Sequence, residues 1–443
     1  MKGSRTFPEG GIYPPTHKDL TRHLAIRNAP LPAEAIFPLQ QHRGSPAEAS
    51  VRPGDRVGEG MVIGRAAEAF SAHVHSSIPG VVRELRDMVP PAGGRCKAVV
   101  VDLEGAFDRS WKAREPRPWR DVPPRDLLAC IRDCGIVGLG GAAYPTAFKW
   151  DLRRGAALEL FVVNGMESEP YVTADHRLML EKTSELLTGI GIACRILSPR
   201  EVLIAVDEQD TEAIAALEAA IQARGLGYRV TPLEGKYPQG EEKQLLKALT
   251  GREVPSGGQS LEVGALVSNV GTLFAVCEAV VLDKPLIERV VTVSGSPFRC
   301  PGNLKVRLGT RVGDLVEECG GFSTAPARLI AGGPMTGFAL AQLDTPVTKG
   351  MSGLVALSSR EIGMKAWETP CISCARCLEA CPWGLRPNLL YKWIRQRCYR
   401  EALEEGLMDC EECGCCSYVC PARIPLTQVL SQGKLMNAGK GRR

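Results

Sequence analysis

The apolar positions of this chain fall into short runs that alternate with polar and glycine-rich segments. The run Leu158–Val163 leads into polar residues that begin at Asn164, and a second run ends at Ser268 and Asn269. Short runs of this kind predict strands of an open α/β sheet. Shorter β-rich runs with glycine turns at residues 51–83 predict a separate β domain. No run of about 18 uncharged apolar residues occurs in the sequence, so no membrane-spanning helix is predicted.

Near the C-terminus the pattern changes to helical spacing. In the segment 387–405 the apolar residues Leu389, Leu390, Trp393, Ile394 and Tyr399 recur at nearly helical intervals. This spacing predicts a helix that separates two cysteine-rich loops.

Length and charge limit the classes of protein that this chain represents. At 443 residues it is expected to form two to four domains, and a net charge of +4 argues against a nucleic-acid partner. A basic tail carries Lys434, Lys440, Arg442 and Arg443, as a solvated end or as a docking site for anionic lipid or a partner. The first eleven residues lack the apolar centre of a secretory signal, so we expect a cytoplasmic site of action.

Cysteine is unusually concentrated in one part of the sequence. Of 17 cysteines, ten fall between residues 371 and 420, which in a cytosolic chain favours metal binding over disulfides. Two motifs there have cysteines two residues apart and end in Cys-Pro. The motif cysteines are Cys371, Cys374, Cys377, Cys381, Cys410, Cys413, Cys416 and Cys420. This spacing predicts two 4Fe-4S clusters, which transfer single electrons.

The fourth cysteine of each motif is expected to serve the other cluster, as in two-cluster ferredoxins. One predicted cluster therefore uses Cys371, Cys374, Cys377 and Cys420, and the other uses Cys410, Cys413, Cys416 and Cys381. Structural zinc sites are the alternative, although zinc requires neither the third cysteine nor the Cys-Pro ending. Cys415 and Cys398 are left over, the first as a spectator or a swapped ligand.

A glycine-rich segment at 135–150 is the first candidate binding site outside the cysteines. Gly138, Gly140 and Gly141 allow backbone amides to approach a phosphate or a flavin ring, and Lys149 follows as a cation. The spacing matches neither the dinucleotide fingerprint nor a P-loop. A tight loop between packed elements explains the glycines equally well.

Three further segments place polar groups after apolar runs. The first contains Asn164 with Glu167 and Glu169, the second Tyr237 with Glu241 and Glu242, and the third Asn269 with Thr272. Carboxylates in a nucleotide site accept hydrogen bonds from ribose hydroxyls. Taken singly, each acidic pair is also what a solvated surface contains.

Together these four segments resemble the flavin subunit of respiratory complex I. The resemblance implies that FMN contacts Gly138, Gly140, Gly141, Lys149, Asn164, Asn269 and Thr272. It implies that Glu169, Tyr237, Glu241 and Glu242 frame a nicotinamide nucleotide, with Glu167 between the two sets, and that Glu167 and Glu169 are the candidate catalytic residues. Leu139 and Ala143 depart from the family pattern, which has Arg and Gly there.

The N-terminal third is similar to a narrower family. The segments 7–18, 38–42, 51–57 and 71–80 resemble the RnfC subunits of membrane Rnf complexes, over about residues 7–430. The resemblance implies a multidomain α/β and α+β chain. Its expected domains are a barrel-sandwich β region at 1–115, a Rossmann-like FMN/NADH domain at 116–288, a β-grasp (SLBB) domain at 289–360, an α-helical two-cluster ferredoxin domain at 361–430 and a basic tail at 431–443.

The function that this resemblance implies is electron exchange between NAD(H) and ferredoxin. A hydride carries two electrons and a cluster takes one, and non-covalent FMN handles both. We expect a peripheral subunit on the cytoplasmic face of the membrane, held there by other Rnf subunits and coupled to sodium or proton translocation. The alternatives are a soluble flavin reductase similar to cobalamin reductase, in which the barrel region follows the flavin core, and a non-catalytic electron-wire subunit.

Overall fold

A computed structural model describes residues 5–90, 94–107, 115–152, 158–362 and 367–438. The described chain contains four β-sheets followed by a helical region. Within these ranges no helix has both the length and the hydropathy needed to cross a bilayer. The largest hydrophobic core is shared by a parallel and a mixed sheet, a second lies inside an N-terminal barrel, and a third covers the other face of the parallel sheet.

The first domain is an antiparallel barrel sandwich of seven strands. One sheet has the order β2-β8-β7-β4 and the other the order β3-β5-β6. The strands are β2 Glu34–Pro38, β3 Ala47–Ala49, β4 Arg56–Val57, β5 Val62–Ala66, β6 Val74–His75, β7 Gly80–Met88 and β8 Cys96–Leu103. Alternate residues such as Phe37, Ile63 and Val99 meet between the sheets and exclude water, which explains the short β-rich runs of the sequence.

The second domain is a parallel α/β sheet with the order β11-β10-β9-β12. Its strands are β9 Leu160–Gly165, β10 Glu201–Asp207, β11 Arg229–Leu233 and β12 Ala265–Asn269. Its helices are Pro124–Asp133, Thr146–Trp150, Ala174–Glu181, Thr183–Leu197, Thr211–Ala223, Glu242–Thr250 and Val270–Leu282. Both faces of β9 are buried, which explains its continuous apolar run.

The third domain is a mixed sheet with the order β1-β14-β13-β17-β15-β16 and the helix Val312–Glu318. The strands are β1 Ile26–Asn28, β13 Glu288–Ser294, β14 Gly302–Arg307, β15 Arg328–Ala331, β16 Phe338–Ala339 and β17 Gly353–Leu357. A short helix, Ser359–Ile362, follows the last strand.

The C-terminal domain is helical and small. Its helices are Arg376–Glu379, Pro387–Arg395, Tyr399–Glu404, Cys415–Tyr418 and Leu426–Ala438. Leu390, Ile394, Ala402 and Leu430 form its core. The single helix expected between the cysteine loops is wrong, because the chain breaks at Arg397, whose φ of 61° is left-handed and ends a helix.

The N-terminal segment 5–28 lies outside the barrel, which departs from the expected boundary at residue 1. Ile12 and Tyr237 exchange two backbone hydrogen bonds of 2.9 Å, and β1 pairs in parallel with β14. Phe7 is fully buried, and Lys236 donates to its carbonyl at 3.0 Å. The segment therefore ties the α/β domain to the mixed sheet.

We expect Gly189→Ala to destabilise the α/β domain. A Cβ at Gly189 would clash with the backbone carbonyl of Leu273, where the helices Thr183–Leu197 and Val270–Leu282 cross. Overpacking against a backbone that cannot move away costs about 1–3 kcal/mol. Urea unfolding followed by circular dichroism measures the loss. The control Gly227→Ala adds a methyl group where nothing lies within 4 Å, and equal midpoints for the two variants would contradict the packing argument.

Candidate electron-transfer site

The parallel sheet places two predicted residues at a ligand-binding position. Strands β10 and β11 lie on one side of β9 and β12 lies on the other, so the strand order reverses between β9 and β12. Open α/β sheets bind ligands at the carboxyl ends of the strands at such a switch point. Asn164 and Asn269 stand in register there, near the ends of β9 and β12. The structure thus brings these two side chains to one crevice.

Asn164 and Asn269 also organise the loops around the crevice. Asn164 donates to the carbonyl of Gly240 at 2.8 Å and accepts from the amide of Met166 at 3.0 Å. Asn269 caps the helix Val270–Leu282, accepting from the amides of Gly271 at 2.9 Å and Thr272 at 3.3 Å. A helix N-terminus that opens into the crevice favours an anion there.

The glycine-rich loop packs directly on this helix N-terminus. The Leu139 amide donates to Thr272 Oγ1 at 2.9 Å. A Cβ at Gly140 would lie 3.3 Å from Asn269 Cβ, tighter than an ordinary contact, and Gly141 has a φ of +105°. These two positions require glycine, one for close approach and one for its backbone conformation.

Gly138 closes the base of the same loop, and Ala143 is strained within it. The Gly138 amide donates to the carbonyl of Tyr144 at 2.8 Å. Ala143 has a φ of 48°, a conformation that glycine adopts at lower cost. The Ala143 carbonyl accepts from the amide of Arg43 at 3.0 Å, so the barrel domain holds this turn in place.

Lys149 and Glu242 form an ion pair at the crevice. Lys149 Nζ lies 2.6 Å from Glu242 Oε2, and Ser260 donates its hydroxyl to the other oxygen of Glu242. Both side chains remain about one third exposed. A ligand phosphate or hydroxyl therefore has access to a cation and to an acceptor together.

Glu241 has a different position from its neighbour. Its carboxylate caps the helix Glu242–Thr250, accepting from the amides of Lys243 at 2.9 Å and Gln244 at 3.1 Å. Burial raises the pKa of Glu241 to about 7. Of the predicted acidic pair, Glu242 is the one whose side chain faces Lys149.

Glu167 and Glu169, the candidate catalytic residues, are both engaged with backbone amides. Glu167 accepts from the amides of Asp175 at 2.9 Å and His176 at 3.3 Å, so it caps the helix Ala174–Glu181. Glu169 accepts from the amides of Met335 at 3.0 Å and Thr336 at 2.9 Å in the mixed-sheet domain. Burial raises the pKa of both carboxyl groups. This geometry corrects the expected role, because buried amides that need acceptors hold both carboxylates in the framework of the site.

Arg289 is a residue of the site that the sequence did not reveal. It extends from β13, is buried, and donates to the carbonyl of Leu139 at 3.2 Å and to the carbonyl of Lys349. Burial lowers its pKa to about 10 while Asp175 and Glu167 act against that shift. The guanidinium therefore reaches the glycine-rich loop from another domain, at the position where the complex I family has an arginine in the loop itself.

The donors at this crevice fit FMN. A phosphate needs backbone amides and a cation, which the helix N-terminus and Lys149 supply, and the flavin ring needs a loop without Cβ atoms. Gly140 and Gly141 provide that cradle. Bound there, FMN supplies the conversion between two-electron and one-electron transfer.

The eight motif cysteines collect into two groups in space. The inner cysteine group surrounds one cavity and the outer cysteine group another. The inner group consists of Cys381, Cys410, Cys413 and Cys416, and the outer group consists of Cys371, Cys374, Cys377 and Cys420. Each group combines three cysteines of one motif with the last cysteine of the other. Their ligation of two clusters stays a prediction.

Burial distinguishes the two groups. Burial raises the pKa of the Cys381 and Cys416 thiols to about 11 and that of Cys410 to about 12. Thiols this weak ionise only with cations nearby, and iron provides such a charge. Cys371 and Cys374 of the outer group are exposed instead.

The leftover cysteines and the described part of the tail have structural contacts. Cys415 is fully buried among Ile12, Tyr237 and Ala380, and Cys398 contacts the carbonyl of Gln396 at 3.7 Å. Lys434 donates to the carbonyl of Cys410 and pairs with Glu412 at 3.1 Å. Lys434 is therefore part of the inner cysteine loop. Lys440, Arg442 and Arg443 lie outside the described residues.

The inner cysteine group adjoins the α/β domain. Buried Tyr237 donates its hydroxyl to the carbonyl of Cys413 at 2.7 Å. Gln244 donates to the carbonyl of Pro382 at 3.0 Å, and Lys243 pairs with Glu411 at 2.7 Å. The loop that carries Tyr237, Glu241 and Glu242 thus contacts both halves of the inner group.

The N-terminal segment completes this junction. The Gly11 amide donates to the carbonyl of Ala380 at 3.1 Å, and a Cβ at Gly10 would lie 2.5 Å from the backbone of Cys381. Three separate parts of the chain, the N-terminal segment, the Tyr237 loop and the cysteine loops, therefore meet at the inner group.

Four family models match the chain in the same order as the domains of the fold. The RnfC barrel sandwich hybrid domain matches residues 6–106, the Nuo51 FMN-binding domain 131–278, the SLBB domain 290–339 and the 4Fe-4S dicluster domain 364–421. These matches confirm the expected fold class and the expected cofactors, FMN and 4Fe-4S clusters.

A solved structure is similar in fold. It is a chain of an NAD+-reducing [NiFe]-hydrogenase, with a TM-score of 0.51 and 18% sequence identity. The match covers 72% of this chain and 61% of that chain.

Curated relatives match over nearly the whole chain. The RnfC-type subunit of the proton-translocating ferredoxin:NAD(+) oxidoreductase complex of Clostridium ljungdahlii is 39% identical over 435 residues, 98% of this chain and 94% of the relative. The corresponding subunit of the ion-translocating oxidoreductase complex of Rhodobacter capsulatus is 40% identical over 430 residues, 96% of this chain and 82% of the relative. The chain therefore belongs to the RnfC family of ion-translocating oxidoreductase complexes.

Proposed function

We propose that this chain is the nucleotide-handling subunit of a membrane Rnf complex that exchanges electrons between NAD(H) and ferredoxin. Relatives of the same domain order are named as subunits of ferredoxin:NAD(+) and ion-translocating oxidoreductase complexes. The observation that carries the proposal is the contact between the Tyr237 loop and the inner cysteine group. It joins a candidate nucleotide site to a candidate one-electron carrier within one chain.

The contacts also support an order for the carriers. The inner cysteine group lies against the loop of Tyr237, Lys243 and Gln244, whereas Cys371 and Cys374 of the outer group are exposed. We assign the inner group to the cluster that exchanges electrons with the flavin domain. The outer group then exchanges electrons with a partner.

The residues of the crevice have separate roles in this proposal. Gly138, Gly140, Gly141, Lys149, Asn164, Asn269 and Thr272 hold FMN. Glu242 binds the nicotinamide nucleotide, while Tyr237 and Glu241 fix the loop that presents it. Glu167, Glu169 and Arg289 keep the surrounding helices and loops in position. These roles follow the hydrogen bonds described above.

An apolar exposed surface surrounds the outer group and suits a partner subunit. Trp367 is 89% exposed, Ile372 67% and Tyr418 51%. The segment that carries Trp367 is held near the outer group, because the Thr369 amide donates to the carbonyl of Ala422, which lines that cavity. Exposed aromatic residues beside an electron carrier are typical of a docking surface. Binding of other Rnf subunits here would keep the chain peripheral on the cytoplasmic face, where the complex couples electron transfer to sodium or proton translocation.

The cluster assignment predicts which variant loses which cluster. Protein purified without oxygen should contain about eight irons, and Cys381→Ser should lower this number toward about four. The electron paramagnetic resonance signal that remains should be that of the outer cluster, the one that Cys420→Ser removes. Cys398→Ser is the control, since its thiol belongs to neither group. Loss of the same signal in the Cys381 and Cys371 variants would contradict the grouping.

The nucleotide assignment predicts that NADH bleaches the flavin absorbance of the isolated chain. Glu242→Gln keeps the shape of the side chain but weakens its acceptors, so the NADH concentration for half-maximal bleaching should rise roughly tenfold, as for one lost charged hydrogen bond. FMN content should stay unchanged. Glu253→Gln, at a largely exposed side chain, is the control. Equal loss of FMN and of NADH response would place Glu242 in the flavin site instead.

The docking assignment predicts a selective loss of coupling to the complex. Trp367→Ala combined with Ile372→Asp should leave NADH-dependent flavin bleaching intact and weaken association with the membrane subunits at least tenfold, as for an interface anchor. Co-purification from membranes of the native cells measures the association. Leu31→Ala, the control, changes another exposed apolar side chain, in the N-terminal region. Undiminished membrane association of the double variant would contradict the surface.

A further inference from the structure

Three ligating side chains meet in the α/β domain, outside the two cysteine motifs. Cys130 and Cys134 lie at the end of the helix Pro124–Asp133, and Asp283 follows the helix Val270–Leu282. The two sulfurs and one carboxylate oxygen all lie within 4.8 Å of one another. Cys134 is buried, and the other two are half-buried.

Secondary structure fixes the positions of all three. Residues four apart lie on the same face of a helix, so both thiols point toward the neighbouring helix. Cys130 donates its thiol to the carbonyl of Ala279 at 3.4 Å, and the Leu286 amide donates to the carbonyl of Cys134 at 2.9 Å. The ligands are thus held by packed helices rather than by loops.

The electrostatics of this place favour a cation. Both helices end here, and a helix C-terminus carries a partial negative charge. The charged side chains that act on Cys130 are Asp283, Asp133 and Arg117, two anions and one cation. Arg117 lies 3.0 Å from Asp283 Oδ2. A carboxylate has about four lone-pair positions, so Asp283 can accept from Arg117 and bind a metal as well.

We propose that Cys130, Cys134 and Asp283 bind one thiophilic divalent cation, best matched by zinc, at a site separate from both clusters. Two thiolates and one carboxylate leave a fourth, tetrahedral position for water. Magnesium and calcium prefer oxygen ligands and are excluded by the two sulfurs. Binding releases the two thiol protons and changes no oxidation state.

The position of the site gives it a structural role. The helix Val270–Leu282 has Asn269 and Thr272 at its start, beside the glycine-rich loop, and Asp283 at its end. The helix Pro124–Asp133 leads through Cys134 into that same loop. A metal ion that joins the two helix ends therefore holds both elements that form the flavin crevice.

Zinc content and zinc coordination test this proposal on the full-length, cluster-loaded protein. Protein from zinc-supplemented cells, purified without oxygen and dialysed against a weak chelator, should retain about one zinc per chain. X-ray absorption at the zinc edge should show about two sulfur ligands at about 2.3 Å and lighter ligands for the rest. Cys130→Ser combined with Cys134→Ser should lower zinc at least tenfold while iron and FMN stay constant. Cys194→Ser, a half-buried cysteine of the same domain, should retain zinc.

A second variant keeps the test decisive if the double variant does not fold. Asp283 has a φ of 57°, which asparagine tolerates well, so Asp283→Asn removes a charged ligand without straining the backbone. It should also lower zinc retention. Wild-type protein without zinc, unchanged zinc in both variants, or a Cys130–Cys134 disulfide in the oxygen-free protein would overturn the proposal. Zinc bound by four sulfurs and lost in a Cys381 variant would place it in a cluster site and would overturn the proposal equally.

Discussion

The hydrogen bond from Tyr237 to the carbonyl of Cys413 joins the two kinds of chemistry in this protein. Two electrons that arrive as a hydride are useful to a one-electron carrier only if the two sites are held close together. Tyr237 is 3% exposed, and burial raises the pKa of its hydroxyl, so the hydroxyl remains a proton donor over the physiological pH range. The bond therefore persists wherever the protein is folded, and it fixes a cysteine loop against the loop that carries Glu241 and Glu242.

The N-terminal segment stabilises this junction from a third direction. Its bonds from Ile12 to Tyr237 and from Gly11 to Ala380 link the α/β domain to the cysteine loops. Lys18 donates to the carbonyl of Glu167, which extends the same segment over the acidic loop. Each bond contributes only about 0.5–1.5 kcal/mol, but together they hold domains that have separate cores. The site is a property of the assembled chain, and no single domain contains it.

Much of the site was predictable because short-range chemistry determines it. Cysteines spaced by two residues must converge, and Asn164 and Asn269 follow apolar runs that form adjacent parallel strands. The sequence did not predict that Glu167 and Glu169 bind backbone amides, since the partners of Glu169 lie in another domain. Arg289 was missed for the same reason. A positive φ at Arg397 divided a segment whose apolar spacing suited one helix, because spacing reports which face is buried and not where a backbone turns.

The order of reduction of the two clusters tests the account most directly. Protein variants that lack one cluster, Cys371→Ser for the outer and Cys381→Ser for the inner, are mixed with NADH, frozen within milliseconds to seconds and examined by electron paramagnetic resonance. The account predicts that the inner cluster is still reduced in the Cys371 variant, whereas the outer cluster stays oxidised in the Cys381 variant. Rapid reduction of the outer cluster without the inner one would contradict the assignment of the inner cysteine group as the partner of the flavin domain.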